Sequence, residues 1–270
     1  MAEMTPSTSG WKTRPLYTRV AIAGLLLHAL VSLVFAVLTI IDVVLSITGI
    51  EPSNIGFFII PMVLSVIFAG LMWRFGKWAL VVAAVWGLLN LWWGWLLILA
   101  LSYPNSFFDF ALPLLLTVGA LLAVVGAIVA FVQQRRGTTR TSATRAERRT
   151  FGAIVVVLLG LVILSGILHI AGLTTVSTEA GAGATVVEMK NSYLAPDRLE
   201  IRVGETERIL LKNNDFFVHT FEIDELGVKH TVLPFSELLI ELQPTSTGEF
   251  TFRSEAPITG GMEGTLVVTK

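Results

Sequence analysis

The chain has 270 residues, 54% of them apolar and 14% charged, with 19 Lys+Arg against 20 Asp+Glu and no cysteine. Soluble domains run at roughly 45–50% apolar and 25% charged, so this balance excludes an ordinary soluble globule and points to insertion in a membrane. The lack of cysteine excludes disulfides and thiolate chemistry, and the length leaves room for two domains.

A bilayer is crossed by about 20 apolar residues of helix. Five stretches qualify: Val20–Ile41, running on toward Ile47, then Ile55–Met72, Trp78–Leu101, Phe107–Val132 and Phe151–Leu173. Lys12, Arg14 and Arg19 precede the first, and Arg74 and Lys77 lie between the second and third. Arg135, Arg136, Arg140, Arg145, Arg148 and Arg149 lie between the fourth and fifth, whereas Glu51–Asn54 and Ser102–Ser106 carry no basic residue. The positive-inside rule then predicts a multi-pass plasma-membrane protein with a cytoplasmic N-terminus and an extracytoplasmic C-terminal part. The first span has no small-residue cleavage site and reads as a retained signal anchor. The Arg135–Arg149 segment reads as a topology determinant, with an inner-leaflet patch for anionic lipid as the alternative.

The expected organisation is a four-helix membrane bundle over residues 1–132, a basic linker over 133–150, a fifth span over 151–173, a flexible tether over 174–185 and a β-domain over 186–270. From Thr174 onward 8 basic residues face 15 acidic ones, a net charge of −7, while the remainder carries +6. An acidic outer domain argues against nucleic acid as a partner. Beyond the lipid bilayer, the expected partner is an extracytoplasmic or membrane protein.

Within the spans, Gly119, Ala123, Gly126 and Ala130 form one stripe on which a neighbouring backbone can approach closely. His28 and His169 are intramembrane ionisable groups, and such groups are functional candidates by default. At 1.5 Å per residue they lie roughly 12 and 27 Å from the inner face, so one haem iron shared between them is disfavoured against ordinary interhelical hydrogen bonding. Asn90, flanked by Trp86 and Trp93, suggests either a quinone or lipid pocket or plain interhelical bonding, and the latter is the commoner use of Asn. Asp42 and Asp109 read as ordinary carboxylates near the outer surface.

After the small, polar stretch Thr174–Thr185 the pattern changes to short alternating runs. Val186–Met189, Leu199–Val203, Arg208–Lys212, His219–Ile223, Val228–Leu233, Glu237–Leu242, Glu249–Arg253 and Thr265–Val268 are strand candidates separated by Gly, Pro, Asn and Asp. Eight short strands at this spacing predict a β-sandwich or Greek-key barrel. The predicted fold class is thus five transmembrane helices plus an all-β Greek-key sandwich outside the membrane.

The order Leu194-Ala195-Pro196, Val203-Gly204-Glu205, Lys212-Asn213-Asn214-Asp215, His219-Thr220-Phe221, Gly248-Glu249-Phe250-Thr251-Phe252 and Gly261-Met262-Glu263-Gly264-Thr265-Leu266 resembles a cupredoxin over Val186–Lys270. In copper-carrying cupredoxins an upstream His joins a Cys, a second His and a Met from the C-terminal loop. The resemblance places His219 at the upstream His and Met262 at the Met. It puts Ser254 where the Cys would be and Thr259 near the second His. A hydroxyl is neutral and hard where the family uses a thiolate, so the resemblance implies a degraded copper site without blue-copper electron transfer. A weaker divalent-ion site, with copper preferred, is the remaining metal reading, built from His219, Met262 and Glu255 and joined by His230 or Met189.

No nucleophile–base pair, phosphate-binding glycine loop or zinc spacing occurs, so no catalytic residue and no resident cofactor is expected. The leading expectation is a non-enzymatic membrane protein that presents a metal-free cupredoxin-like domain for binding or assembly. The alternatives are an atypical copper-delivery or copper-sensing protein, or an accessory subunit of a membrane redox complex.

Overall fold

The computed structural model describes residues 10–45, 55–75, 77–92, 94–190, 193–256 and 260–270. Seven α-helices and nine β-strands occur among them. The helices are α1 (Leu16–Leu45), α2 (Ile55–Arg74), α3 (Lys77–Leu91), α4 (Gly94–Ala100), α5 (Phe107–Arg136), α6 (Arg145–Gly172) and the single turn α7 (Thr178–Gly181). The strands are β1 (Thr185–Lys190), β2 (Tyr193–Ala195), β3 (Arg198–Arg202), β4 (Glu207–Asn213), β5 (His219–Ile223), β6 (Val228–Val232), β7 (Glu237–Leu242), β8 (Gly248–Ala256) and β9 (Gly260–Thr269).

Three described helices are long and apolar enough to cross a membrane, over Leu16–Ile41, Phe107–Arg136 and Arg145–Gly172. This corrects the expected five. The run expected as one span over Trp78–Leu101 is broken into α3 and α4 beside Trp92 and Gly94, a division that summed hydropathy does not register. The run expected over Ile55–Met72 is α2, whose described apolar part, Phe58–Arg74, falls short of a full span.

The chain divides into two compact units. One comprises Met1–Ile41, Glu51–Trp95 and Leu114–Leu159, and the other Asp42–Ile50, Leu96–Pro113 and Gly160–Lys270. In the first, α1 lies along the small-residue stripe of α5. A Cβ added to Gly24 would fall 2.5 Å from the Ala123 amide nitrogen, and one on Gly126 would fall 2.6 Å from that of Ala21. Glycine is therefore required where the two backbones meet. Ala21, Ala69, Ala83, Ala123, Ala127 and Ala130 fill much of the same core, which is how helices pack closely when their outer surfaces are apolar too.

The second unit holds a sandwich of two sheets, ordered β2-β1-β4-β7 and β3-β9-β8-β5-β6. Most strand pairs are antiparallel, but β1 with β4 and β3 with β9 are parallel. Inward-pointing Val187, Ile209, Leu211, Phe221, Ile223, Phe252 and Leu266 form a core between the sheets. Phe252 lies directly across from Gly264. A Cβ on that glycine would fall 2.2 Å from the phenyl ring, so the missing side chain makes room for the aromatic one.

All eight expected strands are present, and β2 is additional. The segment expected to be a flexible tether is instead bonded to the sandwich. The Thr174 hydroxyl donates to the Glu237 carbonyl at 2.7 Å, and the Val176 amide to the Glu237 carboxylate at 3.0 Å. Ser177 caps α7, and Arg208 donates to the carbonyls of Ala180 and Ala182. Small polar residues look mobile by composition, yet their backbone groups are free to bond a neighbouring strand.

Candidate functional site

The Asn213–Val218 turn between β4 and β5 builds one side of the site. The Asn213 side chain accepts from the Asp215 amide at 2.9 Å and donates to the carbonyls of Phe217 and Val232 at 2.8 and 3.0 Å. This side-chain-closed turn aims Asp215 back at the start of β5. Asp215 Oδ1 accepts from the Phe216 amide at 2.6 Å, and Oδ2 lies 3.0 Å from His219 Nε2. The contact to Nε2 leaves Nδ1 on the other side of the ring.

That other side faces β8. His219 Nδ1 lies 3.4 Å from Ser254 Oγ, which itself accepts from the Thr220 amide at 3.1 Å. Both His219 and Ser254 are fully buried. Met262 is directly opposite Ser254 in the β8–β9 register and is buried in the sandwich core. Facing residues of an antiparallel pair have Cβ atoms about 4.5–5.5 Å apart. His219, Ser254 and Met262 therefore share one neighbourhood.

The structure bears on the remaining candidates unequally. Thr259 lies outside the described residues, as does the side chain of Glu255. His230 pairs with Phe221 across β5–β6, whereas His219 pairs with Val232. Met189 is a fully buried core residue of β1. The hairpin β8–β9 pairs as far as Ala256 with Gly260, so the stretch expected to be a ligand loop is mostly strand.

One participant was not anticipated. Ser106 precedes α5, its carbonyl accepts from the Phe110 amide at 2.9 Å, and its hydroxyl donates to Asp109 Oδ2. The same carboxylate oxygen accepts from the Val218 amide at 2.8 Å. Asp109 is 1% exposed, and its Oδ1 has no hydrogen-bond partner among the described residues. It is thus a buried tie onto the residue before His219 rather than an ordinary surface carboxylate. Aromatic rings line the same edge: Phe108 meets Phe216 edge-to-face at 5.5 Å, and Phe216 meets Phe235 at 5.0 Å. Phe235 has a φ of 57°, the left-handed region that bulky residues seldom adopt.

These residues do not fit a blue-copper ion. The chain has no cysteine to supply a thiolate, both ring nitrogens of His219 already face protein partners, and among the described residues no group of three His, Asp or Glu side chains is placed to hold a metal. Among the described residues His219 and Met262 are brought together around Ser254, and Met262 is a thioether, the weak axial kind of ligand.

The other candidates lie among the helices. His28 Nδ1 is 3.4 Å from Ser65 Oγ, which accepts from Trp86 Nε1 at 2.9 Å. Asn90 donates to the Trp86 carbonyl of its own helix at 2.7 Å. The contact of His28 is interhelical, as expected, whereas the bond described for Asn90 stays within its own helix. Trp93 lies outside the described residues, as does the side chain of Asp42. His169 sits edge-on against Phe108 at 6.1 Å.

A family profile described as a cupredoxin-like domain matches residues 160–268. Among solved structures, similarity extends to the metal-binding domain of the Cu(I)-exporting P-type ATPase CopA of Streptococcus pneumoniae, at 13% identity over 36% of this chain and 93% of that one, with a TM-score of 0.28. A heme-copper terminal oxidase dimer matches at 16% identity over 46% of this chain and 100% of that one, with a TM-score of 0.30. Auracyanin from Roseiflexus castenholzii matches at 13% identity over 33% and 98%, with a TM-score of 0.27. No curated protein matches the chain in sequence. Strand order, core and family profile agree: the C-terminal part of this chain is a cupredoxin-like domain preceded by apolar helices.

Proposed function

We propose that the chain is a multi-pass membrane protein whose cupredoxin-like domain holds no redox copper and serves outside the cytoplasm as a binding or assembly module. It is not an enzyme. The observation that carries this reading is Ser254, which the resemblance puts at the thiolate position and whose hydroxyl is engaged with the Thr220 amide and His219. A neutral oxygen supplies neither the charge nor the covalency that a blue-copper site needs. The three long apolar helices and the concentration of basic residues before Leu173 support the membrane assignment and the orientation.

The test uses the full-length protein, extracted in detergent from copper-supplemented cells. Metal analysis should find less than stoichiometric copper, with no intense visible band, and crosslinking in native membranes should capture a reproducible protein partner. One tightly held copper per chain would overturn the metal-free reading. Recovery of the crosslinked protein always alone and monomeric would overturn the binding role.

A second reading, copper delivery or sensing without a blue site, draws on the placement of Met262 opposite Ser254 and beside His219. It requires that the protein take up one equivalent of copper and that His219→Ala abolish uptake. Calorimetry without heat at micromolar copper removes it.

A further inference from the structure

We propose that the arginine-rich end of the helical unit is a binding surface for anionic phospholipid headgroups. This rests on the reading that the helices cross a membrane. Positive charge alone would serve topology, so the argument must come from how the charges are arranged.

Short contacts gather the basic segments at one end of the unit. Trp11 stacks on Trp73 at 6.0 Å, and the Arg14 guanidinium lies 4.0 Å over the same ring. The Leu16 amide donates to the Arg140 carbonyl at 2.7 Å, and Arg19 donates to the Thr141 carbonyl. The start of α1, the end of α2 and the segment leading into α6 are thereby brought to one surface.

The single described carboxylate there is already committed. Glu147 accepts from the Tyr17 hydroxyl at 2.6 Å, from Arg140, and from the amide and hydroxyl of Thr144 at 2.9 and 3.1 Å. Arg74, Lys77, Arg135, Arg136, Arg148 and Arg149 are exposed, and none forms an ion pair with a described carboxylate; among the described residues the salt bridge in this region is Arg140 with Glu147.

Two features of these cations are unfavourable without an external anion. Arg148 and Arg149 occupy the first turns of α6, where the positive end of the helix dipole disfavours cations. They also stand three and four residues after Arg145, spacings at which like charges repel. Anions at this surface would relieve both effects at once.

The neighbouring apolar groups favour lipid over other polyanions. Trp73, Phe75 and Trp78 are exposed beside Arg74 and Lys77, Trp78 by 83%. Aromatic rings adjoining cations at the ends of apolar helices match the level where headgroup phosphate meets acyl chain. A nucleic acid backbone would use the cations but not this apolar border.

The test is native mass spectrometry of the full-length protein in mixed micelles of phosphatidylglycerol and phosphatidylcholine. Preferential retention of phosphatidylglycerol is expected, weakening as salt shortens the Debye length. Each of Arg136→Gln, Arg148→Gln and Arg149→Gln should lower that retention by roughly five-fold. These side chains are exposed, and an unchanged elution volume verifies that each variant folds. Equal retention of the two lipids, or variants that bind like wild type, overturns the proposal. Thermal stabilisation by inorganic phosphate equal to that by phosphatidylglycerol would show a site for free anions, and tighter binding of a short DNA duplex would show a nucleic-acid surface; either result overturns it. Release from membranes by alkaline carbonate would instead defeat the membrane reading itself, an outcome separable from loss of lipid preference alone.

Discussion

His28 in the helical unit and His219 in the β-unit are buried in opposite ways. In the helical unit His28 has one weak contact, to Ser65, and its Nε2 has no partner among the described residues. In the β-unit both nitrogens of His219 are engaged, by Asp215 and by Ser254. The difference follows from what surrounds each ring. Helices satisfy their own backbone and pack through glycine and alanine, so few polar groups remain to meet a side chain. A turn between strands leaves amides and carbonyls unspent, and these recruit Asn213, Asp215 and Asp109 into one network. A polar residue is tied down where the backbone itself is incompletely paired.

The strongest way to break this comparison is in the helical unit. Gly24→Leu would drive a side chain into the Ala123 nitrogen and the Gly119 carbonyl, 2.5 and 2.6 Å from the added Cβ. Backbone atoms cannot rotate aside, so a loss of about 3 kcal/mol or more is expected, read as a lowered melting temperature in detergent with early elution or aggregation. Wild-type stability in this variant would mean that the close approach of α1 to α5 is not what holds the unit.

In the β-unit the largest effect is expected from Asp109→Ala. It removes the acceptor of the Val218 amide and of the Ser106 hydroxyl. Leaving buried donors unpaired costs about 1–3 kcal/mol. Hydrogen exchange should quicken at Val218 while the amides of β3 and β9 stay protected. Asp109→Asn keeps a carbonyl oxygen for the same bonds and should retain most of the protection. Equal exchange in all three proteins would show that this tie contributes nothing to the site.

Ser254 sharpens the comparison at the site itself. Ser254→Cys introduces a sulfur but neither frees His219 from Asp215 nor supplies a second histidine among the described residues. The full-length variant given copper should therefore stay without the intense band of a blue site. Ser254→Ala, which takes the acceptor from the Thr220 amide, is expected to cost about 1 kcal/mol. A blue Ser254→Cys protein would show that the ligand geometry survives intact and that only the sulfur was lost.

What the sequence made legible was whatever repeats locally. Alternation marked eight strands, and small residues at helical spacing marked the face where α1 meets α5. The order of His219, Ser254 and Met262 was readable only through the resemblance, which puts them on successive pieces of one sandwich end. Other features have no local signature. β2 was hidden because Leu194-Ala195-Pro196 reads as a turn, and the far ends of β8 and β9 were hidden because Gly260-Gly261 does too, although glycine also adopts extended backbone. Asp215 left a faint trace, a carboxylate four residues before the histidine. Asp109 left none, since its partner Val218 is 109 residues away and nothing in either segment announces the other.

The smallest expected effect concerns the segment whose composition suggested free motion. Glu237 accepts from Lys212 at 2.9 Å and from the Val176 amide at 3.0 Å. Lys212 first, and then the amide, hold its carboxyl below the ordinary value of 4.5. A depressed carboxyl contributes stability that is present above its unfolded pKa and is lost as pH falls through the folded one. The bond to Val176 should thus persist at neutral pH and loosen only below the usual glutamate range. Both side chains of the pair are partly solvated, so its worth is under about 1 kcal/mol, and global melting is a poor readout. The Val176 amide resonance is a better one: it should titrate with a midpoint below that of an exposed glutamate, and Glu237→Gln should abolish the titration. An ordinary midpoint, or a titration that survives the substitution, would mean that residues 174–184 are held by the backbone bonds of Thr174 and by Arg208 alone, and that the carboxylate is incidental to their order.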